Sequence, residues 1–275
     1  MRQVDHTRFL CGPEFEKWKQ RAARARARVI ASGKPDKFNN DTWKELKQML
    51  IDGNHDKCMY CEGQYVAGAH DDAEHYRPKG EVTAWDEAAG ERLSVRHPGY
   101  YWLAYEWQNI LLACSKCNSP HPDGEGDEPH PGELNDFPLP TGKRRCHAPG
   151  PDPDRWWDEL KAEEPLLLHP YFDRCEDHFK AGIDGVIWGT TPQGRATVQT
   201  CDLNRPKLRT ARARAEEDIR MRAAFVCNQL VNDKPITDLL VDPKEQFSVY
   251  RAHCLIKYVE GMIREAKGKK VRLRR

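Results

Sequence analysis

Cys58-Met59-Tyr60-Cys61, Glu74-His75, Asn109 and Cys114-Ser115-Lys116-Cys117-Asn118 follow one another along the first half of this 275-residue chain. Thiolates two residues apart on a tight turn can both face one ion, so two C-x-x-C pairs can close one tetrahedral zinc site. An ion held by four thiolates has no open position and acts as a staple. Glu74, His75 and Asn109 lie between the pairs, and a zinc staple does not need them. A histidine that takes a proton from water, with a carboxylate and an amide beside it to place a divalent ion, is the apparatus of metal-assisted phosphodiester hydrolysis.

The order Cys-x-x-Cys, Glu-His, Asn, Cys-x-x-Cys-Asn resembles the zinc-stapled HNH endonucleases, whose active site is a ββα-metal unit. Longer stretches resemble the HNH nuclease component of Septu-type antiphage systems. They are Cys58-Met-Tyr-Cys-Glu62, Glu74-His-Tyr-Arg-Pro-Lys79, Tyr101-Trp-Leu-Ala-Tyr-Glu-Trp-Gln-Asn109, Glu164-Pro-Leu-Leu-Leu168 and Leu203-Asn-Arg-Pro206. The resemblance covers most of residues 40–225. It implies an α+β fold, with a small ββα-metal nuclease unit and its structural zinc embedded in a mostly helical body. It implies His75 as general base, Glu74 and Asn118 as holders of a catalytic Mg²⁺ or Mn²⁺, and Asn109 as the brace of the loop that carries the base. It also implies a nucleic-acid substrate, DNA ahead of RNA, and an ATPase partner of the ABC/SMC-like type supplied by another chain. His121 is the rival to Asn118 at the ion, but Pro120 and Pro122 make a helix through His121 awkward. Two other readings use the same residues: an RNA nuclease with this active site, and a zinc-ribbon module that binds nucleic acid or a partner and cuts nothing.

Composition sets the frame. Hydrophobic residues make up 39% and charged residues 32%, and the mean hydropathy is −0.84. No apolar run approaches the length that spans a bilayer, and Met1-Arg2-Gln3-Val4-Asp5 begins no signal peptide, so a cytoplasmic protein without membrane contact is expected. In that compartment the two C-x-x-C pairs read as metal ligands, and Cys11, Cys146, Cys175, Cys201, Cys227 and Cys254 as buried or incidental thiols. A net charge of +1 excludes binding nucleic acid by bulk attraction alone. Basic residues nevertheless concentrate in residues 14–31, in 205–222 and in the tail from Lys267 to Arg275, which suits contact with phosphates. Arg77 and Lys79, next to the base, and Lys116, between the second thiolate pair, are expected to grip the phosphates beside the cut.

Four regions follow. Residues 1–52 read as helical, with a basic helix and then a second one capped at Asn40-Asp41, on which Trp43, Leu46, Leu50 and Ile51 recur at helical spacing. Residues 53–122 are the nuclease core, in which Trp102, Leu103, Trp107 and Leu111 read as buried apolar side chains. Residues 123–160 are a Pro/Gly-rich loop or insertion, including the acidic Asp123–Glu128. Residues 161–275 hold short strands, with Gly182–Gly189 paired to Arg195–Thr200, and two long helices at about 205–231 and 243–266. No glycine-rich phosphate loop appears, so any ATP hydrolysis by that mechanism belongs to another chain.

Overall fold

The structure, a computed structural model, describes residues 1–33, 38–64, 71–86, 91–119, 135–150, 152, 155–232 and 241–272. It is a mixture of helices and small sheets. Helix α1 (Gly12–Ser32) opens with Pro13 in its first turn, where no backbone N–H is needed, and buries a stripe of Phe15, Trp18, Ala22 and Val29. The indole of Trp18 donates to the Thr42 carbonyl at 2.7 Å and so joins α1 to α2 (Asp41–Gly53). In α2 the expected Trp43, Leu46 and Leu50 are buried, and Ile51 is half-buried. Asn40 does not cap this helix. Its own backbone is already helical, and the Asn39 side-chain oxygen accepts the Asp41 N–H at 2.9 Å instead. After Gly53, His55 and Asp56 adopt left-handed backbones, with φ of 56° and 53°, and turn the chain into the first cysteine pair.

Strand β1 (Asp71–His75) pairs antiparallel with β4 (Ile110–Cys114), with Asp71 opposite Cys114 and His75 opposite Ile110. Between them in sequence, β2 (Val82–Asp86) and β3 (Glu91–Val95) form a hairpin of their own. Ile110, Leu111, Leu112 and Ala113 of β4 are fully buried, as a near-continuous apolar run requires. Trp107 differs from expectation. It is half-buried, its ring set against His6, Phe15 and Tyr171, because its short 3₁₀ turn lies outside the strand. The helical turn α3 (Ser115–Asn118) follows β4 directly, with Cys114 as its extended N-cap. Asn118 thus ends this turn.

The second half holds α4 (Trp156–Lys161), β5 (Phe179–Ala181), β6 (Ile187–Gly189), α5 (Pro192–Thr200), α6 (Pro206–Val231) and α7 (Ser248–Arg272). The apolar Ile187–Gly189 is a strand, but it pairs with Phe179–Ala181. Arg195–Thr200 is helical because the Thr191 side chain accepts the Gly194 N–H and Pro192 stands in the first turn. The last helix starts later than its composition suggests, since Phe247 has a left-handed φ of 54°. Residues 135–150 are irregular, yet Phe137 is fully buried and its N–H bonds the Thr83 carbonyl of β2 at 2.9 Å. The acidic stretch 123–128, His121 and the last three residues of the basic tail lie outside the described residues. Buried apolar side chains form one cluster from Met1 to Leu255. Among the described residues no helix is long and apolar enough to cross a membrane.

Candidate metal centre and active site

The sulfur atoms of Cys58, Cys61, Cys114 and Cys117 lie within 4.8 Å of one another. Those of Cys61 and Cys114 are 3.9 Å apart, close to the edge of about 3.8 Å in a tetrahedron with Zn–S bonds near 2.3 Å. The first pair sits on a turn closed by the Cys58 N–H on the Gly63 carbonyl, with Glu62 left-handed at φ 58°. A bond from the Met59 N–H to the Leu112 carbonyl fastens that turn to β4. Backbone N–H groups of Cys61, Cys114 and Gly63 point at the sulfurs of Cys58, Cys58 and Cys61, at 3.5, 3.4 and 3.4 Å. Such donors suit thiolates. Hydrogen bonds from Cys114, Cys117 and Cys58, with the nearby Arg205 charge, hold the Cys61 thiol well below its ordinary value, whereas burial pushes Cys117 well above. Four crowded thiols cannot all ionise alone, and a dication among them removes that conflict. The cluster could therefore hold a metal ion such as zinc.

Arg205, a residue that motif spacing alone does not reveal, supports this fit. It is buried, donates to Cys117 Sγ at 3.4 Å and Cys114 Sγ at 3.7 Å, and pairs with no carboxylate among the described residues. Arg212, 1% exposed, is likewise without a carboxylate among the described residues, bonding the Leu203 carbonyl at 2.5 Å. Two cations buried without acids are costly unless an anion is near, and a zinc tetrathiolate carries that charge. The signal for Arg205 in the sequence was the Leu203-Asn-Arg-Pro206 match. Glu62, also missed, accepts from Ser248 Oγ at 2.5 Å and the Val249 N–H at 3.2 Å, tying the first cysteine turn to the start of α7.

His75 ends β1 and is 6% exposed. Its Nε2 lies 3.0 Å from the Ala104 carbonyl. A carbonyl only accepts, so Nε2 carries the proton and Nδ1 the lone pair. Lys79 Nζ lies 3.3 Å from that Nδ1 and 4.9 Å from the centre of the Trp43 ring. Burial, and then the Lys79 charge, push the imidazole down to about 3, so it is neutral at pH 7. Burial also lowers Lys79, which the Glu74 carboxylate opposes.

Asn109 is fully buried and clamps the loop that follows His75. Its oxygen accepts the Arg77 N–H at 2.8 Å, and its amide donates to the Arg77 carbonyl at 3.1 Å and the Leu103 carbonyl at 3.4 Å. The position expected of Arg77 is corrected. A guanidinium that grips substrate must reach solvent, and this one is 3% exposed, bonded to Glu163 at 3.1 Å and the Leu160 carbonyl at 2.9 Å, and faced by the Phe137 ring. Its ion pair holds the core together beside the site. Glu163 also accepts from Tyr100 at 2.9 Å, which makes it a junction absent from any motif.

Glu74 is half-buried on β1, one residue before His75. Asn118 is buried at the end of α3; its amide donates to Ser119 Oγ at 3.4 Å, and its oxygen has no partner among the described residues. An oxygen left over in that way suits a hard cation. Lys116, partly exposed, lies on α3 between the two thiolates. On α1 the basic face is largely paired: Lys17 with Glu14, Lys19 with Glu16, Arg21 with Glu45 and Arg26 with Glu106, leaving Arg24 and Arg28 without a partner among the described residues.

No family model matches the chain. Over 159 residues, 57% of its length, it is 30% identical to Septu protein PtuA of Bacillus mycoides (strain KBAB4), covering 19% of that protein. Over 195 residues, 70% of its length, it is 29% identical to Septu protein PtuB of the same strain and spans 57% of it. By these comparisons the chain resembles Septu protein PtuB.

Proposed function

We propose that this chain is a metal-dependent HNH endonuclease, the nucleic-acid-cutting effector of an antiphage defence system. The observation that carries the reading is the commitment of His75 Nε2 to the Ala104 carbonyl, which fixes the tautomer and reserves Nδ1 for a proton. The core histidine His169 also turns Nε2 to a backbone carbonyl, but its Nδ1 accepts the Tyr171 N–H at 3.2 Å, whereas the His75 Nδ1 faces only the Lys79 ammonium among the described residues. In the free protein the Lys79 ammonium rests on Nδ1. A phosphodiester is the stronger partner for that ammonium, so substrate draws Lys79 onto a phosphate oxygen and uncovers the lone pair. His75 then takes a proton from the attacking water, while the Asn109 clamp on Arg77 keeps the imidazole in register. Glu74 and Asn118 would hold Mg²⁺ or Mn²⁺, which when bound supplies stabilisation of the charge that builds on the phosphate. Zinc on the four cysteines is structural in this reading.

Similarity to two Septu proteins of one organism supports a defence role within a multi-protein system, and the ATPase partner and the preference for DNA rest on the same resemblance. The test incubates the purified chain, with and without a candidate partner ATPase, with plasmid DNA and with total cellular RNA plus Mg²⁺ or Mn²⁺. His75→Gln is the control variant, since a glutamine amide can still donate to the Ala104 carbonyl but offers no base. Loss of DNA with wild type and not with His75→Gln is the expected result. Cleavage of RNA alone assigns the substrate to RNA, and equal cleavage by His75→Gln removes His75 as the base. No cleavage under any condition favours a binding module.

A further inference from the structure

Trp43 of α2 lies in none of the cysteine, Glu-His or asparagine motifs, yet its contacts converge on His75 and Lys79. Its indole N–H donates to the Ala104 carbonyl at 2.6 Å, the same oxygen that His75 Nε2 meets at 3.0 Å. A carbonyl oxygen has two lone pairs and can serve both donors at once. The indole and imidazole rings meet edge to face, with centroids 4.8 Å apart and planes at 77°. The Lys79 ammonium, 3.3 Å from His75 Nδ1, stands over the indole at 4.9 Å from its centre. A half-buried ammonium has lost water, and an aromatic face restores an electrostatic partner without a second buried charge. The indole is itself held. It stacks on Tyr105 at 5.6 Å with planes 27° apart, and the Tyr105 hydroxyl donates to the Asn39 carbonyl at 3.2 Å and accepts the Asn39 N–H at 2.9 Å. The backbone of Lys79 is held too. The Pro78 carbonyl accepts the Tyr100 N–H at 2.7 Å, and Gly99, with φ of 86°, sits so close to the Lys79 and Gly80 carbonyls that a Cβ there would collide with both. The freedom of Lys79 therefore lies in its side chain.

We infer that Trp43 is a positioning residue for the His75 and Lys79 pair. The shared Ala104 carbonyl sets the indole against the imidazole, and the indole face is the seat that keeps the Lys79 ammonium beside Nδ1 until a phosphate draws it away. Core filling explains the burial of Trp43 but not this convergence. Trp18 is buried as well and donates to the Thr42 carbonyl, but among the described residues it shares no acceptor with a histidine and carries no ammonium on its face. Only the departure of Lys79 to a phosphate rests on the nuclease reading, since the seat belongs to the free protein.

The test follows the rate at which diethyl pyrocarbonate modifies His75 in the full chain, read by mass spectrometry, in wild type, Trp43→Leu, Lys79→Met and the double variant. Trp43→Leu should speed the reaction by about 2- to 30-fold, the fold-change for losing a cation–π contact. Trp43→Phe, which keeps an aromatic face without the N–H, should fall between wild type and Trp43→Leu. In the Lys79→Met background Trp43→Leu should add no more than a factor of about 2, because a residue that acts through Lys79 has nothing left to act on. A melting curve on each sample checks the fold, and the cycle is run with Trp43→Phe where Trp43→Leu does not fold. Equal acceleration in both backgrounds makes Trp43 ordinary core filling and overturns the inference, as does a rate in Trp43→Leu no faster than wild type. Cleavage on the same samples should show the same coupling. If wild type itself does not cleave, the nuclease reading fails, and the modification rates alone decide the seat.

Discussion

Asn109→Ala separates a clamp from ordinary core filling, and its cost can be worked from the contacts. The amide serves three backbone groups: the Arg77 N–H at 2.8 Å, the Arg77 carbonyl at 3.1 Å and the Leu103 carbonyl at 3.4 Å. The Leu103 carbonyl keeps the Glu106 N–H at 3.1 Å when Asn109 is gone, so it contributes little. The two Arg77 groups are left buried and unpaired, at about 1–3 kcal/mol each. The expected loss is therefore about 2–6 kcal/mol, read as a shift in the urea midpoint at constant slope. Asn109→Asp keeps the volume and one acceptor but sets an oxygen against the Arg77 carbonyl, so it should do no better than alanine. Cleavage should fall in both, because Arg77 is two residues from His75. Zinc content, measured on the same samples, should stay at one ion per chain, since no thiolate is touched. A loss under about 0.5 kcal/mol for Asn109→Ala, the level of an ordinary surface substitution, or near-wild-type stability for Asn109→Asp, would refute the clamp.

Arg205→Met removes the donor to two cysteine sulfurs and should weaken zinc binding by about 10- to 100-fold, as loss of an outer-shell partner does; competition with a chromophoric chelator measures it. Cys58→Ser should lower the melting temperature sharply, and elemental analysis should find no tightly bound zinc. His169, its Nε2 on the Gln108 carbonyl at 2.8 Å, is pushed by burial down to about 3. Its folded pKa lies below the unfolded value of about 6.5, so its contribution is whole above pH 6.5 and is lost as pH falls toward 3. The slope is up to about 1.4 kcal/mol per pH unit, and His169→Gln should remove that share from a denaturation series across pH 4–7. Lys79→Met should uncover His75 Nδ1, so that carbethoxylation of His75 by diethyl pyrocarbonate, followed by mass spectrometry, becomes faster while cleavage becomes slower.

Short-range chemistry was legible in the sequence. Two C-x-x-C pairs fold into one cluster because each needs only a tight turn, and α2 buries Trp43, Leu46 and Leu50, which its spacing selects. Asn109 was legible because an amide within Tyr100–Ala113 has to find buried partners. What failed required knowledge of tertiary neighbours. Arg77 reads as a phosphate ligand beside a Glu-His pair, and only the approach of Glu163, from far along the chain, turns it into a buried ion pair. Arg205 sits in a segment with no metal-ligand spacing, and its role appears only when α6 begins against the second cysteine pair. Arg195–Thr200 alternates as a strand would, but the Thr191-Pro192 start outweighs that pattern.

The register of β1 on β4 argues that the two halves of the site do different work. Cys114 stands opposite Asp71 and His75 opposite Ile110, at the two ends of the same paired segment. Four strand steps of about 3.3 Å separate those ends by about 13 Å. A metal in the thiolate cluster is thus too far from His75 to share a water with it. The same short ladder still makes the position of His75 depend on the cluster. Five paired residues are fastened at one end by the Met59–Leu112 bond and the cysteine turn, and at the other by the Asn109 clamp, the Tyr76 N–H on the Asn109 carbonyl and the Tyr171 hydroxyl on the Ile110 carbonyl. Slipping by one residue would turn His75 to the opposite face of the strand, away from Ala104. Loss of a thiolate is then expected to abolish cleavage through position alone, and added Mg²⁺ would not restore it. Losses at Glu74 or Asn118, which leave both fastenings in place, would be recovered in part by raising Mg²⁺. If excess Mg²⁺ rescued Cys58→Ser as well as Glu74→Ala, the cluster would belong to the chemistry rather than to the frame.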